Sequence, residues 1–195
     1  MEPRTPFEPG EVEEYGRLIE TAREALDLLA GARPSVSAMR ELQQLATASA
    51  AILREHQVPE DESVYGRLSA LPSRGQLMTP LYEILEISPD RLVARVRFGR
   101  ALLGGGAAAH GGTIPLLVDE LFGVLINAGT TKYARTAYLK VDYRSVTPLD
   151  EDLLFDARVD AVEGRKRFLV GELRRGEVVC AETTCLFVEL RDQQA

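Results

Sequence analysis

The chain has 195 residues, of which 45% are hydrophobic and 27% charged, which excludes a wholly disordered protein and suits one domain with an appendage. The formal net charge of −7 argues against the basic face that nucleic-acid-binding proteins carry. Two cysteines exclude a disulfide scaffold, and we expect them to pack as small hydrophobic side chains. We expect no metal site, since the chain has two histidines and no CxxC or HExxH motif.

The chain falls into two regions, residues 1–75 and 76–195. In the first, apolar residues recur every three to four positions, which predicts helices over Glu11–Leu29 and about Ser37–His56. This region carries 13 acidic and 8 basic residues, which disfavours a DNA-binding appendage and an anionic membrane surface as partners. The first 16 residues are acidic and lack an apolar segment, so we expect no signal peptide and a cytoplasmic protein.

From about residue 80 the apolar period changes to two, which predicts half-buried antiparallel strands. Six strands follow from this pattern: Leu81–Ile87, Arg91–Phe98, Thr136–Arg144, Leu153–Asp160, Phe168–Leu173 and Val178–Leu190. In the third strand, the alternation sets Thr136 on the opposite face from Leu139. The segment Thr113–Asn127, whose only charges are Asp119 and Glu120, predicts a buried helix. The order favours an α+β fold, with a curved antiparallel sheet around one long central helix.

The segment from Gly104 to Asp119 is the strongest candidate for a functional site. Its glycines allow the backbone to approach a ligand, and the helix that follows offers free N–H groups that suit a developing oxyanion. Asp119 lies about two turns into this helix among apolar neighbours, a setting typical of a general base or nucleophile. A solvated carboxylate and a structural His110 are the alternative interpretations of the same residues.

The motif His110-Gly111-Gly112, followed by Asp119 on an apolar helix, resembles the HGG-x(6)-D signature of PaaI-like hotdog-fold thioesterases. Downstream, the segment 136–143 resembles the third strand of that family, and Pro148-Leu149 resembles the turn after it. The resemblance covers about residues 78–190. It implies a hotdog thioesterase domain preceded by an N-terminal helical extension.

The resemblance also implies roles for individual residues. Asp119 would act as nucleophile or base toward the thioester of an acyl-CoA. The backbone N–H groups of Gly111 and Gly112 would polarise the thioester carbonyl, and His110 would shape that turn or contact the thioester. Thr136 would assist the attacking water. Because hotdog sites lie between protomers, we expect Thr136 to face Asp119 of the partner subunit.

The candidate contacts to the phosphates of coenzyme A are basic. Arg144 follows the third strand, although Val146 stands where many relatives carry a proline. Arg165 and Lys166 belong to a short basic cluster at a predicted turn and are the other candidates. A solvated, charged turn is the alternative interpretation of that cluster.

The predicted function is hydrolysis of a medium-chain, long-chain or aromatic acyl-CoA, as in fatty acid metabolism. The resemblance implies a homodimer or a dimer of dimers and no cofactor, coenzyme A entering only as part of the substrate. We expect the N-terminal helices to pack on the sheet or a neighbouring subunit, or to cap the acyl pocket. A non-catalytic acyl-CoA-binding hotdog module is an alternative, which a solvent-facing or ion-paired Asp119 would favour. A hotdog dehydratase or hydratase using His110 with Asp119 is a further alternative.

Overall fold

The computed structural model describes residues 8–128 and 133–191. The chain divides into two compact units, residues 1–76 and residues 77–195. The segment for which we expect no signal peptide begins with residues 1–7, which lie outside the described residues.

The N-terminal unit contains the two predicted helices, α1 (Pro9–Gly31) and α2 (Val36–Glu55). At the start of α1 the Glu11 carboxylate accepts the backbone N–H of Glu8 at 2.9 Å. The Ser35 hydroxyl accepts an N–H from the first turn of α2 at 3.3 Å. Such caps satisfy backbone donors that the helix leaves unpaired, which is why both helices begin at these residues.

The apolar face predicted for α2 lies open in the single chain. No residue of α2 is buried, and Met39, Leu42 and Leu53 are each at least half exposed. The expectation that these helices cover another surface therefore stays a prediction.

The second unit is a six-stranded antiparallel sheet with one long helix, α3 (Thr113–Asn127), between its second and third strands. The strands are β1 (Leu81–Ile87), β2 (Arg91–Arg97), β3 (Ala134–Tyr143), β4 (Asp152–Glu163), β5 (Lys166–Arg175) and β6 (Val178–Glu189). Their spatial order is β1-β2-β4-β5-β6-β3, which makes β1 and β3 the edges. The register shifts by one residue in each edge strand, between Ile84 and Glu86 and between Thr136 and Tyr138. All six predicted strands and the central helix are confirmed.

The core lies between α3 and the inner face of the sheet. Leu92, Ala94 and Val96 of β2 are fully buried, as the alternation predicts. Phe122 of α3 meets Phe155 of β4 edge to face, with ring centroids 5.7 Å apart. This is the favoured geometry for an aromatic pair, and it fixes the helix over the centre of the sheet.

The outer face of the sheet is charged. Arginines of β2 pair with carboxylates on the two neighbouring strands: Arg91 with Asp156 at 2.8 Å, Arg95 with Glu83 at 2.9 Å and Arg97 with Asp152 at 2.7 Å. Exposed pairs of this kind contribute about 0–1 kcal/mol each. They mark the face that meets water, while the apolar inner face supplies most of the stability.

The Thr147 hydroxyl generates a stability prediction. Its side chain is 4% exposed, and its oxygen has no hydrogen-bond partner among the described residues. Replacing a buried, unpartnered hydroxyl with a methyl group removes a desolvation cost, so Thr147→Val should raise the free energy of unfolding by about 1 kcal/mol.

Thr183 provides the matched control, because its buried hydroxyl donates to the Gly171 carbonyl at 2.9 Å. Thr183→Val should therefore lower the free energy of unfolding by about 1 kcal/mol. Urea denaturation of both variants measures the two changes. Equal destabilisation by both would contradict the assignment for Thr147.

Candidate active site

The glycine run before α3 forms a short hairpin that ends at His110. Gly106 adopts the left-handed conformation, with φ +63°, at the tip of this hairpin. A Cβ atom on Gly104 would lie 2.9 Å from the Cα of His110, a distance that real side chains do not reach. In the single chain these glycines therefore serve a tight turn and a close approach of the backbone to itself.

The turn between His110 and Thr113 is held by five hydrogen bonds. The His110 carbonyl accepts both the N–H and the hydroxyl of Thr113, at 2.9 and 2.7 Å. The Gly111 carbonyl accepts the hydroxyl of Tyr143 at 2.7 Å and the N–H of Ile114 at 3.4 Å. The Gly112 N–H donates to Nδ1 of His110 at 3.1 Å, so the neutral ring carries its proton on Nε2. The Gly111 N–H bonds to no other described residue.

The carboxylate of Asp119 lies on the exposed side of α3 and is joined to β3. The Thr136 hydroxyl donates to Oδ1 of Asp119 at 2.6 Å. The two residues belong to one chain, so the expectation that Thr136 faces Asp119 of the partner subunit is wrong for this hydrogen bond. Asp119 forms no ion pair with another residue of the described ranges.

A β-bulge in β3 explains why Thr136 reaches α3. Thr136 is paired with Phe187 and Leu139 with Cys185, while the register shifts by one residue between Thr136 and Tyr138. Phe187 and Cys185 are two residues apart on the inner face, so Thr136 shares that face with Leu139. The prediction from sequence alternation, which put Thr136 and Leu139 on opposite faces, was wrong because it did not allow for the extra residue of the bulge.

Cys185 lies at this bulge and was not among the predicted site residues. Its thiol donates to the Tyr138 carbonyl at 3.0 Å, which gives that carbonyl a partner where the strand is irregular. Burial raises the pKa of the Cys185 thiol from 9.0 to about 12, and the negative charge of Asp119 acts in the same direction. Its side chain therefore serves as a neutral hydrogen-bond donor beside the carboxylate.

The basic residues predicted to contact coenzyme A differ in the ion pairs and hydrogen bonds that they already form within the chain. Arg144 donates from Nε and Nη2 to the Glu182 carboxylate, at 2.9 and 2.7 Å, and this pairing raises the pKa of its guanidinium. Arg165 donates to the backbone carbonyl of Glu189 at 2.8 Å. Lys166 is exposed and forms no ion pair with a described residue. The structure thus leaves Lys166 the most available of the three cations.

Within residues 8–128 and 133–191, no group of three His, Cys, Asp or Glu side chains is arranged to hold a metal ion. No helix in these ranges is both long enough and apolar enough to cross a bilayer. The groups gathered where β3 meets α3 are a carboxylate, a hydroxyl and a thiol.

Comparison with known proteins identifies the fold. No family model matches the chain. The chain is 22% identical to the thioesterase superfamily protein RHA08564, with a TM-score of 0.72 over 96% of this chain and 97% of that one. The PaaI protein of E. coli, from the phenylacetic acid degradation operon, gives a TM-score of 0.53 at 16% identity over 56% of this chain and 80% of that one. The fold is therefore the hotdog fold of thioesterase superfamily proteins, as the sequence resemblance implied.

One curated relative is also similar to this chain in sequence. The chain is 32% identical to acyl-coenzyme A thioesterase THEM4 of Xenopus laevis over 105 residues, which are 51% of this chain. The match spans 46% of that relative, so this chain covers about half the relative's length. The resemblance to PaaI-like hotdog proteins is thus confirmed by both sequence and fold.

The high pKa of Cys185 predicts a loss of stability in alkali. In the unfolded chain the thiol ionises near its ordinary value of 9.0, whereas in the folded chain it stays protonated to about pH 12. The unfolded state therefore binds fewer protons in this window, and stability falls as pH rises, by up to about 1.4 kcal/mol per pH unit.

The difference in free energy of unfolding between wild type and Cys185→Ala isolates this contribution. We expect that difference to shift against the wild type between about pH 9 and pH 11, measured by urea denaturation at each pH. A difference that stays constant over this range would contradict the assigned burial of the thiol.

Proposed function

We propose that this protein is an acyl-CoA thioesterase in which Asp119 activates the attacking water or itself attacks the thioester. The observation that carries the proposal is the 2.6 Å hydrogen bond from the Thr136 hydroxyl of β3 to the exposed Asp119 carboxylate of α3. The hotdog fold and the name of the THEM4 relative support a thioester of coenzyme A as the substrate class. The acyl group is proposed to be medium-chain, long-chain or aromatic.

The Thr136 hydroxyl and the Asp119 carboxylate have different roles in activating the attacking water. Thr136 donates to one oxygen of Asp119, which leaves the second carboxylate oxygen free to accept a proton from water. The water oxygen then bonds to the thioester carbon, the C–S bond breaks, and the coenzyme leaves as a thiol after protonation. In the nucleophilic variant Asp119 forms an anhydride that water hydrolyses.

The carbonyl oxygen of the thioester needs a hydrogen-bond donor as negative charge develops on it. A single chain does not place such a donor beside its own Asp119 carboxylate. Gly111 and Asp119 are eight residues apart, which corresponds to about 12 Å along a helix, while reacting groups must come within about 3–3.5 Å. The proposed site therefore joins the free N–H of Gly111 in one copy to Asp119 and Thr136 of a second copy. A homodimer, or a dimer of dimers, supplies this arrangement, and the edge position of β3 leaves backbone groups for pairing.

The phosphates of the coenzyme are proposed to contact Lys166 and Arg165. Lys166 is exposed without an ion pair in the described part of the chain, and Arg165 uses one nitrogen on a backbone carbonyl. Arg144 is the weaker candidate because Glu182 already holds it through two nitrogens. The proposed reaction needs no cofactor, since water and the side chains supply the chemistry.

A non-catalytic acyl-CoA-binding module is the second candidate, and the exposure of Asp119 in the single chain favours it. A dehydratase or hydratase fits less well. Nδ1 of His110 is occupied by the Gly112 N–H, and the Asp119 carboxylate is bonded to Thr136 and not to a histidine.

Asp119→Asn should reduce thioester hydrolysis by about a thousandfold or more, because it removes the base or nucleophile and keeps the shape of the side chain. Thr136→Ala should reduce the rate less, by about tenfold, since the carboxylate remains. Release of free thiol from short, medium, long and aromatic acyl-CoAs measures both effects.

Asp160→Asn is the control, because it removes an exposed carboxylate of β4 that forms no ion pair with a described residue. It should leave hydrolysis unchanged. A full hydrolytic rate in Asp119→Asn would disprove the proposed mechanism. Binding of acyl-CoA without hydrolysis by the wild type would establish the binding module instead.

The shared site is tested by mixing two inactive chains. Gly111→Pro removes the proposed donor, and proline suits the second position of the His110–Thr113 turn. Co-expressed Asp119→Asn and Gly111→Pro chains should recover about a quarter of the wild-type rate, because half of the dimers are mixed and each has one intact site. Each variant alone should stay inactive, and no recovery in the mixture would contradict a site built from two copies.

A further inference from the structure

We propose that Tyr143 is a positioning residue for the backbone amides of the glycine turn, an inference that rests on the proposed thioesterase function. Its hydroxyl fixes the peptide plane between Gly111 and Gly112, and the hydroxyl of Thr113 fixes the plane before it. Neither residue was among the predicted site residues. Both act through the backbone and contact no reacting atom.

The two carbonyls of the turn are each anchored by a side-chain hydroxyl at 2.7 Å. Thr113 holds the His110 carbonyl, and Tyr143 holds the Gly111 carbonyl. In a trans peptide the N–H points away from the C=O of the same unit, so an anchored carbonyl also sets the direction of the N–H. The first anchor aims the Gly111 N–H to a side where no described residue meets it, and the second aims the Gly112 N–H at His110.

The hydrogen bond from Thr113 to the His110 carbonyl also strengthens the Gly111 N–H as a donor. A hydrogen bond to a carbonyl polarises the whole peptide unit, so its N–H becomes a better partner for a developing negative charge. Donors that are already oriented need no reorganisation when the oxyanion forms. The hydroxyls of Thr113 and Tyr143 thus preorganise the backbone of the glycine turn before the substrate binds.

Burial does not explain the position of Tyr143. Its side chain is 55% exposed, although it comes from the inner face of β3. The phenol lies directly over the turn, since a Cβ atom on Gly111 would be 3.5 Å from the Tyr143 hydroxyl. The hydroxyl is therefore the group through which Tyr143 holds the turn.

The test compares Tyr143→Phe with Tyr138→Phe. Tyr138 lies on the same strand and is 50% exposed, but it pairs with Leu186 on the outer face and donates no hydrogen bond to the turn, so it controls for the loss of an exposed tyrosine hydroxyl from β3. Tyr143→Phe should lower kcat for acyl-CoA hydrolysis by about ten- to thirtyfold, less than the loss of a whole oxyanion donor, with KM within about twofold. Tyr138→Phe should leave both constants unchanged.

A spectroscopic measurement separates positioning from general structure. The probe is the acyl-CoA that wild type hydrolyses fastest, labelled with ¹³C at the thioester carbon and bound to Asp119→Asn protein. The infrared frequency of its carbonyl should drop on binding, because the Gly111 N–H polarises the bond. Adding Tyr143→Phe should lessen that drop, because Gly111 loses the hydrogen bond that holds its own carbonyl, with the midpoint of thermal unfolding within about 2 °C.

Three results would overturn the inference: a wild-type kcat in Tyr143→Phe, an equal loss in Tyr138→Phe, or a lower kcat with an unchanged carbonyl frequency. A wild type that hydrolyses no thioester would overturn the proposed function together with this inference. An active wild type with an unaffected Tyr143→Phe would overturn this inference alone, so the two failures are distinguishable.

Discussion

The need to bury α3 governs the second unit. This helix is apolar on nearly every side, so the sheet has to cover it. Six of its side chains are buried: Ile114, Leu117, Val118, Leu121, Phe122 and Leu125. A single sheet cannot surround a helix completely. Asp119 lies on the exposed side of α3, where its carboxylate accepts the hydroxyl of Thr136 from the edge strand β3. The carboxylate is therefore accessible because of the same packing that makes the rest of the helix inaccessible.

Strand β3 connects the two halves of the proposed chemistry. Near its start it provides the hydroxyl of Thr136 to Asp119, and at its end the hydroxyl of Tyr143 to Gly111. The two residues are seven positions apart on β3, so Thr136 reaches the middle of α3 while Tyr143 reaches the turn before it. In an assembly of two copies, each β3 would thus support a carboxylate in one site and a glycine turn in the other.

The periodic features of the fold could be read from the sequence, because they depend on local spacing. The helix Thr113–Asn127 matches the prediction residue for residue, and all six strands were found with ends within three residues. Apart from the pairing of Thr136 with Asp119, which the resemblance implied between two subunits, the side-chain contacts were not foreseen, since they depend on register. One extra residue in β3 reversed the face of Thr136, and a bulge leaves no signature in hydrophobic alternation. The pairing of Arg144 with Glu182 joins residues 38 positions apart, which spacing cannot reveal.

The paired register shifts on β1 and β3 have a consequence for how copies of this chain can meet. An open sheet with two regular edges would accept further strands without limit, which leads to fibrous aggregates. Here each edge is interrupted once, at Ile84–Glu86 and at Thr136–Tyr138, and the interruption twists the strand away from an ideal ladder. The irregularity that turns Thr136 toward the carboxylate thus also interrupts the edge on which a further strand would pair.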